Sequence, residues 1–182
     1  EEQPTLKQLL DVEGTRELFR SFGELYGVGL KLFDLDGAKI VDVRASTSEH
    51  CGYLYSVHAT RTRCTTLVAD IKTRPVIARE SSSTVDCFSG LRYRIVPLVL
   101  DGSLLGRMIF GPYAPAELRG PPKKLGQESL GLDMAVLTDL QTRVTHANEQ
   151  SVDRVVDSLT RVMQSVIEAS YRTWVTTRMH LA

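Results

Sequence analysis

The sequence predicts an α+β fold in which about five short strands form a mostly antiparallel sheet flanked by helices. Two Asp-Gly pairs, Asp36-Gly37 and Asp101-Gly102, each lie between apolar runs, a pattern typical of antiparallel hairpins. Other stretches repeat apolar residues at helical spacing, and the longest runs from about residue 148 to near the C-terminus. We expect these helices to cover the sheet on one side.

The N-terminal part is predicted to form two helices followed by the first hairpin. Thr5 and Gln8 fit a capping box, which indicates a short helix. Residues 13–26 carry apolar side chains at helical spacing, and Gly27 is a natural C-terminal stop. The hairpin around the first Asp-Gly pair then covers residues 28–43.

The middle of the chain is predicted to hold two more helices and a short strand. Ser46–Ser48 can cap a short helix that carries Cys51. Residues 60–72 place their apolar side chains on one stripe, as in an amphipathic helix. Residues 76–80 are predicted to form a strand, and residues 81–84 a loop.

The second hairpin comprises strands over residues 91–100 and 103–111. Pro97 lies inside the first of these strands and predicts an irregular ladder, because proline cannot donate a backbone hydrogen bond. Residues 112–131 contain four prolines and are predicted to be a loop, and residues 132–143 a short helix.

The last helix, from about Asn148, has an apolar stripe whose spacings alternate between four and three residues, which suits a partner helix. We therefore predict a homodimer through residues 148–178. We also divide the chain into a globular domain, residues 1–147, and a C-terminal signalling and dimerisation helix, residues 148–182. The stripe consists of Val152, Val156, Leu159, Met163 and Val166.

Composition and motifs argue against several classes of function. The chain has 22 basic and 22 acidic residues, and this balance argues against direct nucleic-acid binding. No apolar run approaches the ~20 residues that span a membrane. The sequence lacks GxSxG, HExxH, Walker and GxGxxG motifs, so we do not expect an enzyme.

Three cysteines are too few and too widely spaced for a disulfide framework, so the expected setting is reducing and cytoplasmic. The chain starts at Glu1 without a methionine, and we expect it to be a domain excised from a longer protein.

Cys51, Cys64 and Cys87 are separated by 12 and then 22 residues, without a close pair. Zinc sites usually contain at least one close pair, so spacing alone favours packing over metal binding. His50 and His58 flank the first cysteine, and either would complete a Cys3His ligand set.

Arg92 and Arg94 alternate with Tyr93 on a predicted strand, so both arginines point to the same face. If that face lines a cavity, they can hold a carboxylate or phosphate. If it faces water, they are ordinary solvated charges.

The order of the cysteines and hairpins resembles that of a known family. A helix and the first hairpin lie in "LFRSFGELYGVGLKLFDLDGAKI", and the cysteines follow in "HCGYLY", "RTRCTTLVADI" and "CFSGL". The segment "RIVPLVLDGSLLGRMIFG" comes next. Together these segments, which span most of the first 113 residues, resemble the PocR-type sensory domain of bacterial signalling proteins. The sequence departs from the family pattern at Pro112, where a polar residue is expected.

This resemblance implies a PAS-like fold with helices around a pocket that binds a small organic molecule. It also implies a relay through the C-terminal helix to an output domain outside this chain, such as a histidine kinase, a cyclase or a DNA-binding regulator. The candidate ligand-binding residues are Cys51, Tyr53, Cys64, Cys87, Phe88, Gly90, Arg92 and Arg94.

Two alternatives stay open at this point. The first is a redox sensor in which zinc or an iron–sulfur cluster is held by the three cysteines and His58. The second is an interaction or dimerisation module whose pocket is filled by Tyr53, Phe88 and their neighbours.

Overall fold

The structure is a computed structural model that describes residues 3–45, 49–79 and 81–181. The helices are α1 Leu6–Leu9, α2 Val12–Tyr26, α3 Glu49–Ser56, α4 His58–Thr73, α5 Lys123–Gln127, α6 Met134–Thr142 and α7 Glu149–Leu181. The strands are β1 Leu30–Asp34, β2 Lys39–Val43, β3 Ser83–Asp86, β4 Arg92–Leu100, β5 Ser103–Pro115 and β6 His146–Ala147.

The strands form one open sheet in the order β2-β1-β5-β4-β3, and every neighbouring pair on this path is antiparallel. The short strand β6 pairs in parallel with the end of β5. Both Asp-Gly pairs connect antiparallel neighbours, as predicted. The α+β prediction is confirmed, and the arrangement is consistent with the PAS-like fold that the resemblance implies.

The N-terminal helices begin and end where the sequence predicts. The Thr5 side chain accepts a hydrogen bond from the backbone N–H of Gln8, and the Gln8 side chain accepts one from the backbone of Thr5. Helix α2 ends at Gly27, whose φ of 66° is a left-handed conformation that suits glycine. The predicted Ser46–Ser48 cap of α3 lies outside the described residues.

Pro97 disturbs the ladder between β4 and β5, as predicted. It lies opposite Arg107 of β5 but beyond the end of β3, whose last partner on β4 is Ile95. The register shifts between Leu98 and Val99, directly after the proline. Pro97 therefore has a paired strand on one side alone, which is the position that proline tolerates.

Helices cover both faces of the sheet, so the expectation of a single covered face is wrong. Along β1, Leu30 and Leu32 pack with α1, α2 and α7. Phe33 packs on the opposite face with Ile71 of α4. This division follows from the two-residue period of a strand, which sends successive side chains to opposite faces.

One strand prediction and two loop predictions are also wrong. Residues 76–79, predicted as a strand, form none. The third strand, β3, begins instead at Ser83, inside the predicted loop 81–84. Pairing with β4 decides this position, because it places Val85 opposite Tyr93 in the core. The predicted loop 112–131 contains the last residues of β5 and the short helix α5.

Helix α7 buries its stripe against its own domain. Val152, Val156, Leu159 and Met163 belong to the main core, but the next buried position is Ile167 and not Val166. The surface expected to receive a partner helix is therefore occupied by the sheet. Within the described ranges, no helix combines the length and the apolar character needed to cross a membrane.

Candidate functional site

A cavity of about 620 Å³ lies between α3, α4 and the face of the sheet opposite α7. We call it the cysteine-lined cavity, because all three cysteines contribute to its wall. Most other lining groups are apolar side chains or glycines. The lining residues are Gly29, Lys31, Val43, Arg44, Ala45, Glu49, Cys51, Gly52, Leu54, Tyr55, Cys64, Leu67, Val68, Cys87, Tyr93, Gly111 and Pro112.

Two buried polar side chains fix the helices that form this wall. The Thr60 hydroxyl of α4 donates to the carbonyl of Leu54, which joins α4 to the end of α3. At the other end of α4, the Arg107 guanidinium donates to the carbonyls of Ile71 and Arg74, at 3.0 and 2.7 Å. Each bond satisfies a carbonyl at a helix end, and together they position α3 and α4 against the sheet.

Cys87 lies in a tight turn that several hydrogen bonds hold. Its backbone N–H donates to the carbonyl of Leu91 at 2.7 Å, and the N–H of Gly90 donates to the Cys87 carbonyl at 2.9 Å. The Ser89 hydroxyl donates to the Cys87 sulfur at 3.2 Å, and buried Gln141 of α6 donates to the Ser89 carbonyl. The turn thus directs this thiol into the cavity.

The three thiols are free, and burial raises the pKa of each one. The pKa of Cys64 rises to about 11, with Cys87 and Cys51 adding to the effect of burial. Burial and the neighbouring cysteines also raise the pKa of Tyr93, whose hydroxyl lies beside the Cys51 sulfur. At neutral pH the wall therefore presents protonated thiols and a phenol, which are poor nucleophiles.

The cysteines share a cavity without forming a metal-binding group. Among residues 3–45, 49–79 and 81–181, no three side chains of Cys, His, Asp or Glu are arranged to hold a metal ion. His58 is exposed at the start of α4 and does not line the cavity. The described side chains thus provide no preformed site for the zinc ion or iron–sulfur cluster considered from the sequence.

On the opposite face of the sheet, Arg92 and Arg94 bind the first turns of α7. Their guanidinium groups contact the Glu149 carboxylate at 2.9 and 3.1 Å, and Arg94 also pairs with Asp153. The Tyr113 hydroxyl of β5 donates to the same Glu149 carboxylate at 3.0 Å. We call these five residues the α7 clamp.

The comparisons with known proteins agree with this architecture. The family model described as the sensory domain found in PocR matches residues 8–171. The chain belongs to the PocR sensory domain family. The match extends from α1 far into α7, well beyond the first 113 residues that carry the resemblance. No curated protein matches the chain.

In this PocR sensory domain, some predicted site residues lie outside the cavity. Tyr53 accepts a hydrogen bond from the Asp133 N–H at 2.8 Å, and it packs beside Phe88 in a cluster with α5 and α6. These two aromatic side chains therefore do not fill the pocket, in contrast to the alternative considered from the sequence. Gly90 supplies a turn with φ of 92° next to Leu118.

The arginine pair also lies away from the cavity of this PocR sensory domain. Arg92 and Arg94 do share a face, but it is the face that α7 covers. Tyr93, between them in sequence, points to the cavity instead. The structure thus joins Cys51, Cys64 and Cys87 in one site and assigns the two arginines to the α7 clamp.

Sequence reasoning missed Lys31 and Tyr93 as cavity residues. Each lies on a strand between two residues that face the other side of the sheet. Strand alternation sets these residues apart from their neighbours, but the position of α3 and α4 decides that their face meets the cavity. Pro112, where the sequence departs from the family pattern, also lines the cavity.

Proposed function

We propose that this domain binds a small organic molecule in the cysteine-lined cavity and signals its occupancy without catalysing a reaction. The cavity itself carries the proposal, since its volume of about 620 Å³ falls within the ~300–1,000 Å³ of small-molecule sites. Leu54, Leu67 and Pro112 supply apolar wall that suits a compact hydrocarbon body. The protonated thiols and the Tyr93 phenol offer neutral polar contacts.

Substitution of Gly52 tests the cavity directly. Gly52 lies on α3 at the cavity, and a Cβ added there meets no atom within 4 Å. Gly52→Trp is therefore expected to obstruct the cavity without displacing the backbone, whereas Gly52→Ala keeps it open. A thermal-shift screen of short alcohols, diols and carboxylates should find a compound that raises the wild-type Tm by about 5–10 °C at 100 Kd.

The Gly52→Trp variant should lose this shift while keeping the ligand-free Tm of the wild-type domain, and Gly52→Ala should retain the shift. A compound that stabilises Gly52→Trp as strongly as the wild type would place its binding site elsewhere and contradict the proposal.

The relay that we propose runs through β4 and β5 to the α7 clamp. Tyr93 faces the cavity, while its neighbours Arg92 and Arg94 hold Glu149 on the other face. A ligand that moves Tyr93 would therefore also shift the groups that hold the start of α7. A signal requires the ligand to favour one arrangement of this clamp over another.

Glu149→Gln is expected to uncouple α7 from the cavity, because a neutral amide cannot keep both charge-assisted bonds to the arginines. Ligand binding should persist, but ligand-dependent hydrogen-exchange protection over residues 149–156 should disappear. Asp157→Asn, which alters an exposed carboxylate on the same helix, is the matched control and should preserve it. Equal protection in wild type and Glu149→Gln would refute this route.

Transmission to a kinase, cyclase or DNA-binding output domain stays a prediction, as does homodimerisation through residues 148–178. The buried positions of α7 restrict how such a dimer would form. Because Leu159 and Met163 pack on the sheet, a second copy would have to contact the outer face of the helix. Val166, 37% exposed, lies outside the buried stripe and is available for such a contact.

A further inference from the structure

We propose, building on the proposed binding function of the cavity, that its ligand is a small carboxylate whose charged end binds Lys31. Lys31 lies on β1 between Leu30 and Leu32, which are fully buried on the other face of the sheet. Its half-buried side chain consequently points to the cavity and lines it.

The ion pairs near this end of the cavity leave Lys31 available. Asp42 binds Lys39 at 2.7 Å and lies 3.9 Å from Arg44. Glu49, the acidic residue of the cavity lining, pairs with Arg143 at 3.0 Å. Lys31 takes part in no ion pair with the residues that the structure describes.

The local charge balance favours an anion. Lys31, Lys39 and Arg44 all act on the single carboxylate of Asp42. Although burial works in the opposite direction, these three cations hold the pKa of Asp42 below its ordinary value. The single negative charge of Asp42 is thus shared among three positive side chains. A ligand carboxylate beside Lys31 would balance part of the excess positive charge.

Apart from Glu49, which pairs with Arg143, the rest of the described wall supplies no competing negative charge. The thiols of Cys51, Cys64 and Cys87 stay protonated at neutral pH, as does the phenol of Tyr93. The Tyr93 O–H lines the same cavity as Lys31 and is a second donor for a ligand bound there. Leu67 and Val68 then contact the apolar body of the ligand.

Matched ligands separate charge from shape. Linear carboxylates of about three to eight carbons are compared with the amides and amines of equal length, by calorimetry on the full chain. A carboxylate of suitable length should bind about tenfold or more tightly than its amide. Lys31→Met should lose this preference while keeping the affinity for the amide, and Lys31→Arg should preserve it.

Lys7→Met is the control, since Lys7 is an exposed lysine of α1 outside the cavity lining, and it should leave the preference for the carboxylate unchanged. If the amide or amine binds as tightly as the carboxylate, or Lys31→Met changes nothing, the carboxylate assignment is wrong while the cavity keeps its binding function. If none of the three series binds while an alcohol or diol of the thermal-shift screen does, the carboxylate assignment is again wrong. If no compound of either set binds, or all bind equally to Gly52→Trp, the binding function itself fails.

Discussion

Replacing Ile167 with alanine is expected to lower the free energy of unfolding by about 2–4 kcal/mol. Ile167 has no exposed surface and packs in the main core between α7 and the sheet. Val166→Ala should change the same quantity by less than about 0.5 kcal/mol, because Val166 is 37% exposed. The two substitutions shorten neighbouring β-branched side chains of one helix. The difference between their unfolding free energies therefore measures the difference in burial of the two side chains.

Urea denaturation followed by circular dichroism measures both effects. Each variant should keep the wild-type m-value, since neither substitution changes the surface exposed on unfolding by much. A larger loss of unfolding free energy in Val166→Ala than in Ile167→Ala would contradict the position of α7 on the sheet. It would instead support the heptad spacing, in which Val166 is the buried residue.

These two positions also show why the packing of α7 was only partly predictable. A heptad repeat and a straight helix on a sheet select the same residues from Val152 to Met163. A straight helix then drifts by about 20° per heptad, which brings Ile167 into the core in place of Val166. Periodicity thus located the helix and most of its buried stripe. It did not reveal what covers that stripe.

The third strand was missed for a related reason. Val76 and Ile77 form a short apolar run that suits a strand, yet β3 forms at Ser83–Asp86. The Ser83–Asp86 segment is mostly polar, and its position depends on pairing with β4, from Ser83 opposite Ile95 to Asp86 opposite Arg92. Local sequence does not contain that partner, so tertiary context overrides propensity.

The candidate site was predictable only where the sequence matches the family pattern. Cys51, Cys64 and Cys87 became candidates through that resemblance, whereas their spacing alone favoured packing. Lys31 and Tyr93 are common residue types, and their role depends on which face of the sheet meets α3 and α4. Strand alternation predicts that successive side chains point to opposite faces of the sheet, but it does not predict which of the two faces lines the cavity.

His50, on α3 beside Cys51, should make the domain sensitive to mild acid. Its side chain is fully buried, and neither ring nitrogen has a hydrogen-bond partner among the residues that the structure describes. Burial lowers the pKa of His50 to about 4, from an ordinary value of about 6.5. The folded domain therefore keeps this imidazole neutral in a range where the unfolded chain binds a proton.

The sign of the effect follows from proton uptake. Between about pH 6.5 and 4 the unfolded state binds one more proton, so stability is full above this window and falls as the pH decreases. The loss reaches at most about 3 kcal/mol near pH 4. His50→Leu should flatten the pH dependence of the unfolding free energy and leave stability at pH 7 unchanged or higher, because it removes two unpaired polar atoms.

His58→Leu is the matched control, since His58 is exposed at the start of the next helix. This substitution should leave the pH dependence of the unfolding free energy unchanged. Urea titrations at intervals from pH 7 to about 4.5 separate His50 from most carboxylates, which protonate lower. A slope that survives in His50→Leu would assign the acid sensitivity to other groups. If the slope disappears, protonation of His50 destabilises α3, the helix that carries Cys51 and Gly52 into the cysteine-lined cavity.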